Sequence, residues 1–158
     1  MTTEDGAIVL VVDDNPTKRY VIASWLRRAG HLVIEAATGG EAIDRLAGAP
    51  VDLVVLDVRL PDLSGFEVCE RIKADPATAA VPVVHISATA VEASDRTHGL
   101  TRGADAYLSE PIDPGELVAT VAALLRYFRA RQRAERLAQR LAQRLAQRLA
   151  QRLATLAE

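Results

Sequence analysis

Residues 53–67 read LVVLDVRLPDLSGFE. Leu53 to Leu56 are apolar in a row with no polar alternation, as strands covered on both faces read. Asp57 ends the run. Seven residues on, Ser64 with Glu67 three places later forms a capping-box pattern that satisfies the free amides of a first helical turn. The stretch therefore predicts a buried strand, an acid at its carboxyl end, a short turn and a helix.

The same unit recurs along the chain. Ile8 to Val12, Val81 to Ile86 and Ala106 to Leu108 are mostly apolar with little alternation, and Leu32 to Ile34 adds a fifth strand. Between them lie stretches of helical length with apolar residues three and four apart, such as Tyr20, Ile22, Trp25 and Leu26. Further helix starts are marked by Asn15 before Pro16, by Thr38 with Glu41, and by Asp113 with Pro114 and Glu116. Strand and helix alternating five times predict an α/β fold: a five-stranded parallel sheet, doubly wound, with ligands at the carboxyl ends of the strands where the strand order reverses.

A length of 158 residues suits one domain plus an appendage. With 49% hydrophobic and 25% charged residues, and no apolar run near the roughly 20 residues of a membrane span, the chain reads as soluble. The start, MTTEDGAIVLVVDDN, is unlike a secretory signal, and the single cysteine, Cys69, allows no intramolecular disulfide, so a cytoplasmic location is expected. Charge is uneven. From Arg126 onward nine arginines face Glu135 and Glu158, a net +7, leaving ten basic and nineteen acidic residues, a net −9, in the first 125.

At the expected strand ends stand Asp13, Asp14, Asp57, Ser87 and Glu110. Like charges crowded together are costly unless a cation neutralises them, and an oxygen-rich site without His or Cys suits Mg²⁺. With such a metal, one carboxylate can attack a phosphoryl group, and Ser87 supplies a hydroxyl nearby.

Together VVDDN, LDVRLPDLSGFE, HISA and GADAYLSEP resemble the receiver domain of two-component response regulators, across roughly Ile8 to Phe128. The resemblance implies a flavodoxin-like (βα)5 fold, Asp57 as phospho-acceptor, Asp14 as direct Mg²⁺ ligand, Asp13 as its acidic partner and the Arg59 backbone carbonyl as a further ligand. It also implies Ser87 and Tyr107 as switch residues, Ala88 as the small residue after Ser87, and Pro61 and Gly65 in the turn after the acceptor strand. Tyr107 equally reads as a half-buried strand aromatic. His31, His85, His98, Trp25 and Cys69 read as structural or surface residues.

Glu110 departs from the family pattern, which has a lysine before the proline. An ionised Glu110 cannot donate to a phosphoryl oxygen and adds repulsion near Asp57. Three accounts stand open. Glu110 points away and pairs with Lys18 or Arg59; it approaches the metal; or the site no longer switches by phosphate.

The last helix meets no Gly or Pro after Gly115, so it is expected to run to Glu158, 44 residues and about 66 Å at 1.5 Å each. Within it, residues 136–153 read RLAQRLAQRLAQRLAQRL. Because a four-residue step turns about 400°, the leucine stripe drifts roughly 40° per repeat and fits no heptad. Covering that stripe favours a parallel homodimer, with a helical spacer as the alternative. Regular arginines without interleaved aromatics read as a solvated face, with neither nucleic acid nor membrane as partner. The expected organisation is a receiver at 1–128 and a helical extension at 129–158.

The reading is a phosphorelay receiver, not an enzyme in its own right. It takes a phosphoryl group from a histidine kinase or phosphotransfer protein, and the resemblance implies that chains of this kind continue into outputs such as a kinase or phosphatase. The competing reading is a pseudo-receiver, a dimerisation and interaction module independent of phosphate. A free-standing aspartyl phosphatase fits least, since Arg59 stands where such enzymes carry a second Asp.

Overall fold

In a computed structural model of the chain, which describes residues 6–87 and 103–158, every strand-ending acid of the first three strands lies at one edge of a parallel sheet. The elements are β1 (Ile8–Val12), α1 (Pro16–Arg28), β2 (Leu32–Ala36), α2 (Gly39–Gly48), β3 (Leu53–Asp57), α3 (Gly65–Ala74), β4 (Val83–Ser87), β5 (Ala106–Ser109) and α4 (Pro114–Ala157). All neighbouring pairs are parallel in the order β2-β1-β3-β4-β5, so the reversal of strand order falls between β1 and β3. The helix expected between β4 and β5 lies on residues 88–102, outside the described residues.

Alternation is missing from the strand sequences because both faces are covered. Val9, Val11, Leu53, Val55, Val84 and Ile86 pack with Ile22 and Leu26 of α1 and with Leu117, Val121 and Leu125 of α4. The intervening Leu10, Val12, Val54, Leu56 and Val83 pack on the other side with Ala42 of α2 and Val68, Cys69 and Ile72 of α3. β2 departs from this pattern. It is an edge strand, and Leu32 is 70% exposed. Tyr20, grouped with the apolar face of α1 by its spacing, is 66% exposed, while Ile22, Ala23 and Leu26 are buried. β4 starts at Val83 rather than Val81: Pro82 offers no N–H, and the Val81 amide turns back to the Thr78 carbonyl at 2.9 Å.

The caps hold as read. Asn15 Oδ1 accepts from the Thr17 and Lys18 amides at 3.0 and 3.1 Å, Thr38 Oγ1 and Ser64 Oγ from Glu41 and Glu67 at 3.0 and 3.2 Å, and Asp113 from Glu116 at 3.0 Å. Long-range contacts add what local patterns do not carry. Asp62, in the turn after β3, accepts from the Gly39 and Gly40 amides at 2.8 Å each, which hold its carboxyl below its ordinary range and tie that turn to the start of α2. Asp105 takes the Val83 amide at 2.8 Å and the Lys73 ammonium at 3.0 Å, joining α3, β4 and the approach to β5.

The chain divides into two compact units, Met1–Leu125 and Arg126–Glu158. The second is helical to Ala157, and Leu137, Leu141, Leu145, Leu149 and Leu153 along it are 54–67% exposed. Among the described residues no helix is long and apolar enough to cross a membrane.

Candidate functional site

Two strand ends and one helix start build the site. β1 ends at Val12, so Asp13 and Asp14 fall in the turn into α1. Asp13 is 2% exposed, and its Oδ1 accepts the Asn15 amide at 2.9 Å while the Arg19 guanidinium holds its carbonyl at 2.7 Å. Asp57 closes β3 and is 6% exposed; its Oδ1 accepts the Arg59 amide at 3.1 Å. The adjacency of β1 and β3 brings these acids together. One carboxylate oxygen from each of Asp13, Asp14 and Asp57 lies within 4.8 Å of the others.

A fourth carboxylate comes from the turn after β5, where the Glu110 amide donates to the Ser87 carbonyl at 2.8 Å and the Glu110–Pro111 bond is cis. Opposite it, Lys18 rises from the first turn of α1. Its ammonium pairs with Glu110 Oε1, and stands 3.4 Å from Asp13 Oδ2 and 3.9 Å from Asp57 Oδ2. Of the two cations proposed as partners, Lys18 is the one engaged. Glu110 therefore does not turn away from the cluster; it is joined to it through the ammonium. Arg59 is exposed, and what it gives Asp57 is its backbone N–H.

Burial pushes Asp57 up to about 6, helped by the charges of Asp13 and Asp14 and opposed by the Arg59 amide and Lys18. For Lys18, burial pulls downward, but the hydrogen bond to Glu110 and the charges of Asp57 and Asp13 outweigh it, so its pKa lies above the ordinary value. Among the described residues, one ammonium against four carboxylates leaves the pocket short of positive charge. The donor set, all oxygen with two carboxylates buried, fits a hard divalent cation such as Mg²⁺.

The response regulator receiver domain model matches residues 9–122. The chain belongs to this family. Among curated proteins, the receiver is 34% identical over 119 residues to the protein PilH of Pseudomonas aeruginosa, covering 75% of this chain and 98% of that one. It is 38% identical over 122 residues to the transcriptional regulatory protein GltR of the same organism, covering 77% of this chain but only 50% of GltR. The chain thus spans about half the length of such regulators. Among solved structures, the chemotaxis response regulator CheY4 of Vibrio cholerae matches with a TM-score of 0.70 at 29% identity, over 75% of this chain and 98% of that one. Receivers take phosphate from histidine kinases or phosphotransfer proteins, and generally bind Mg²⁺ at an acidic pocket.

The other residues singled out in the receiver lie in different parts of the fold. Ser87 ends β4, half-buried, in register with Ser109, and Tyr107 lies half-buried on β5 opposite His85. Ala88 and His98 lie outside the described residues. Cys69 is fully buried, which pushes its thiol up to about 11 and removes it as a nucleophile. His31 is buried and its Nδ1 accepts the Ala7 amide at 3.2 Å.

His85, read from the sequence as structural or surface, is a buried structural residue. It is 0% exposed, its ring is 5.2 Å from Phe66 and 6.0 Å from Tyr107, and its Nε2 has no hydrogen-bond partner among the described residues. Burial pulls its pKa down to about 4, so it folds as the neutral ring. A depressed histidine contributes stability that is present above its unfolded value and lost as pH falls from about 6.5 to about 4, worth about 3 kcal/mol across that window. Asp57 acts with the opposite sign over part of the same range. Urea unfolding at pH 7 and pH 4.5 on the parent and on His85→Leu separates them: the variant is expected to lose less stability on acidification, and equal losses would refute the assignment.

Proposed function

We propose that the chain is a phosphorylated receiver whose acceptor atom is Asp57 Oδ2. The observation supporting this reading is the division of labour on that carboxylate: the Arg59 amide engages Oδ1, while Oδ2 stands 3.9 Å from the Lys18 ammonium. An Oδ2 lone pair forms the new O–P bond while the P–N bond of a phosphohistidine breaks. The bonding pair stays on the imidazole nitrogen, and no redox partner is needed. Asp13, Asp14, Asp57 and the Arg59 carbonyl would hold Mg²⁺, which when bound neutralises charge on the phosphoryl oxygens. Ser87, at the end of β4, and Tyr107, on β5, would pass the change on.

Intact mass after incubation with Mg²⁺ and a small phosphodonor tests the reading. One phosphate adduct is expected on the parent, with none in chelator and none on Asp57→Asn. No adduct from a folded parent, with a phosphorylated kinase also failing, would favour the second reading, a phosphate-independent interaction module. Glu110, where the family carries lysine, is what supports that alternative.

The second unit supports a homodimer. Five half-exposed leucines on one helix leave apolar area that pairing with another copy would cover, each buried leucine contributing about 1.5–3 kcal/mol. The drift of the stripe favours a short contact over a long regular coiled coil. Sedimentation is expected to give twice the 17.0 kDa chain mass, falling to the single mass for Leu141→Glu/Leu145→Glu. A monomeric parent would remove the proposal.

A further inference from the structure

The charge pattern at Asp57 deepens the receiver reading and rests on it. We infer that Lys18, from α1, is the cation that meets the phosphoryl group on Asp57, and that Glu110 positions it, so that acid and base have exchanged places relative to the family arrangement. Asp57 Oδ2 is the oxygen left open by the Arg59 amide, and among the described residues the cation paired with it is the Lys18 ammonium at 3.9 Å. A group joined to that oxygen arrives beside the ammonium. The Lys18 side chain is 21% exposed, so its charge is only partly screened by water.

Glu110 gives the lysine a second anchor. The ammonium also stands 3.4 Å from Oδ2 of Asp13, a carboxylate of the acid cluster that a divalent cation would contest. A lysine tied only to Asp13 would be displaced by that cation; one tied to Glu110 keeps a carboxylate partner and stays near Asp57. Glu110 is in turn fixed to β4 through its amide and the Ser87 carbonyl at 2.8 Å. A phosphoryl group carrying about −2 competes with Glu110 for the ammonium. That competition links the state of Asp57 to the turn after β5 and, through Ser87, to the end of β4.

Lys18 also opposes the metal, because its positive charge sits at the edge of the acid cluster. Removing it therefore has two effects of opposite sign. Loss of a lysine that merely held α1 in place would weaken metal binding and phosphorylation together. In Lys18→Met, calorimetry is expected to show Mg²⁺ bound about threefold to tenfold more tightly, from the loss of a like charge. At saturating Mg²⁺, adduct formation with the small phosphodonor is expected to slow about tenfold to a hundredfold, the scale for losing one donor to a developing anion. The exchanged variant Lys18→Glu/Glu110→Lys is expected to recover most of that rate, with circular dichroism confirming the fold of each chain.

Lys18→Met phosphorylated at the parent rate and holding its phosphate equally long would overturn the inference while leaving the receiver reading standing. An exchanged variant as slow as Lys18→Met would overturn the proposed exchange of places. A folded parent that takes no phosphate at all would overturn the receiver reading and this inference with it.

Discussion

Asp57→Asn is expected to unfold at a higher temperature than the parent in metal-free buffer at pH 7, while taking no phosphoryl group. The two results share one cause. Asp57 is 6% exposed at the end of β3, beside Asp13 and Asp14, and burial lifts its carboxyl to about 6 from an ordinary 3.8. A carboxyl whose folded pKa is raised contributes stability below its unfolded value and loses it as pH rises through about 4 to about 6. By pH 7 the folded protein carries an unfavourable charge, worth up to about 3 kcal/mol. Asparagine keeps the shape and an acceptor for the Arg59 amide but removes that charge. That shift already includes the attraction to Lys18, and burying the asparagine amide has a cost of its own, so a net gain of about 1–3 kcal/mol is expected, or several degrees in melting temperature. The gain should shrink as pH is lowered to 4, and Mg²⁺ should narrow it at pH 7 by stabilising the parent more. Thermal unfolding at both pH values, with and without Mg²⁺, checks each arm; a variant less stable than the parent at pH 7 would contradict the account.

Gly65→Ala is expected to cost at least about 3 kcal/mol and roughly 10 °C in melting temperature, the scale of a steric conflict against fixed backbone. A Cβ on Gly65 would lie 2.2 Å from the Asp57 carbonyl oxygen and 2.8 Å from Val58 Cα, and none of these is a flexible side-chain end. The approach is this close because the Gly65 amide donates to the Val58 carbonyl at 2.7 Å, folding the start of α3 back onto the end of β3. Any relief must move Asp57 itself. Phosphorylation of the fraction that still folds should therefore fall as well. Gly48→Ala is the control: that glycine ends α2 with open space around its Cβ position, so alanine there should be neutral or stabilise by up to about 1 kcal/mol. Chemical denaturation of both variants decides it, and a Gly65→Ala protein as stable as the control would show that the turn yields.

Much of this was readable in one dimension because strand, cap and acid recur as a local unit. Asn15, Thr38, Ser64 and Asp113 act on amides two or three residues away, so their effect depends on little beyond their neighbours. Covered strands show themselves by missing alternation, and an Asp after such a strand must lie at its carboxyl end. Where reading failed, the reason was position in the sheet. Leu32 to Ile34 looks as apolar as the other runs, yet β2 is an edge strand, and no local pattern says which strand is outermost. Asp62 gave no local signal either, for the amides that it caps are twenty-two and twenty-three residues away.

For the site, the sequence by itself determined the cast: three aspartates after apolar runs, a serine after a fourth, and a glutamate before Pro111 where a lysine belongs. Their chemistry followed from residue type, since carboxylates without His or Cys call for a hard cation. Only the tertiary structure decided how Glu110 is tolerated. The Asn15 cap sets the first turn of α1 so that Lys18 faces the strand ends, and the order β2-β1-β3-β4-β5 places those ends within reach. A lysine ten residues after the first strand's start and ninety-two before Glu110 carries no mark of that meeting. Charge acts through space over a few ångströms, and only the fold sets that distance.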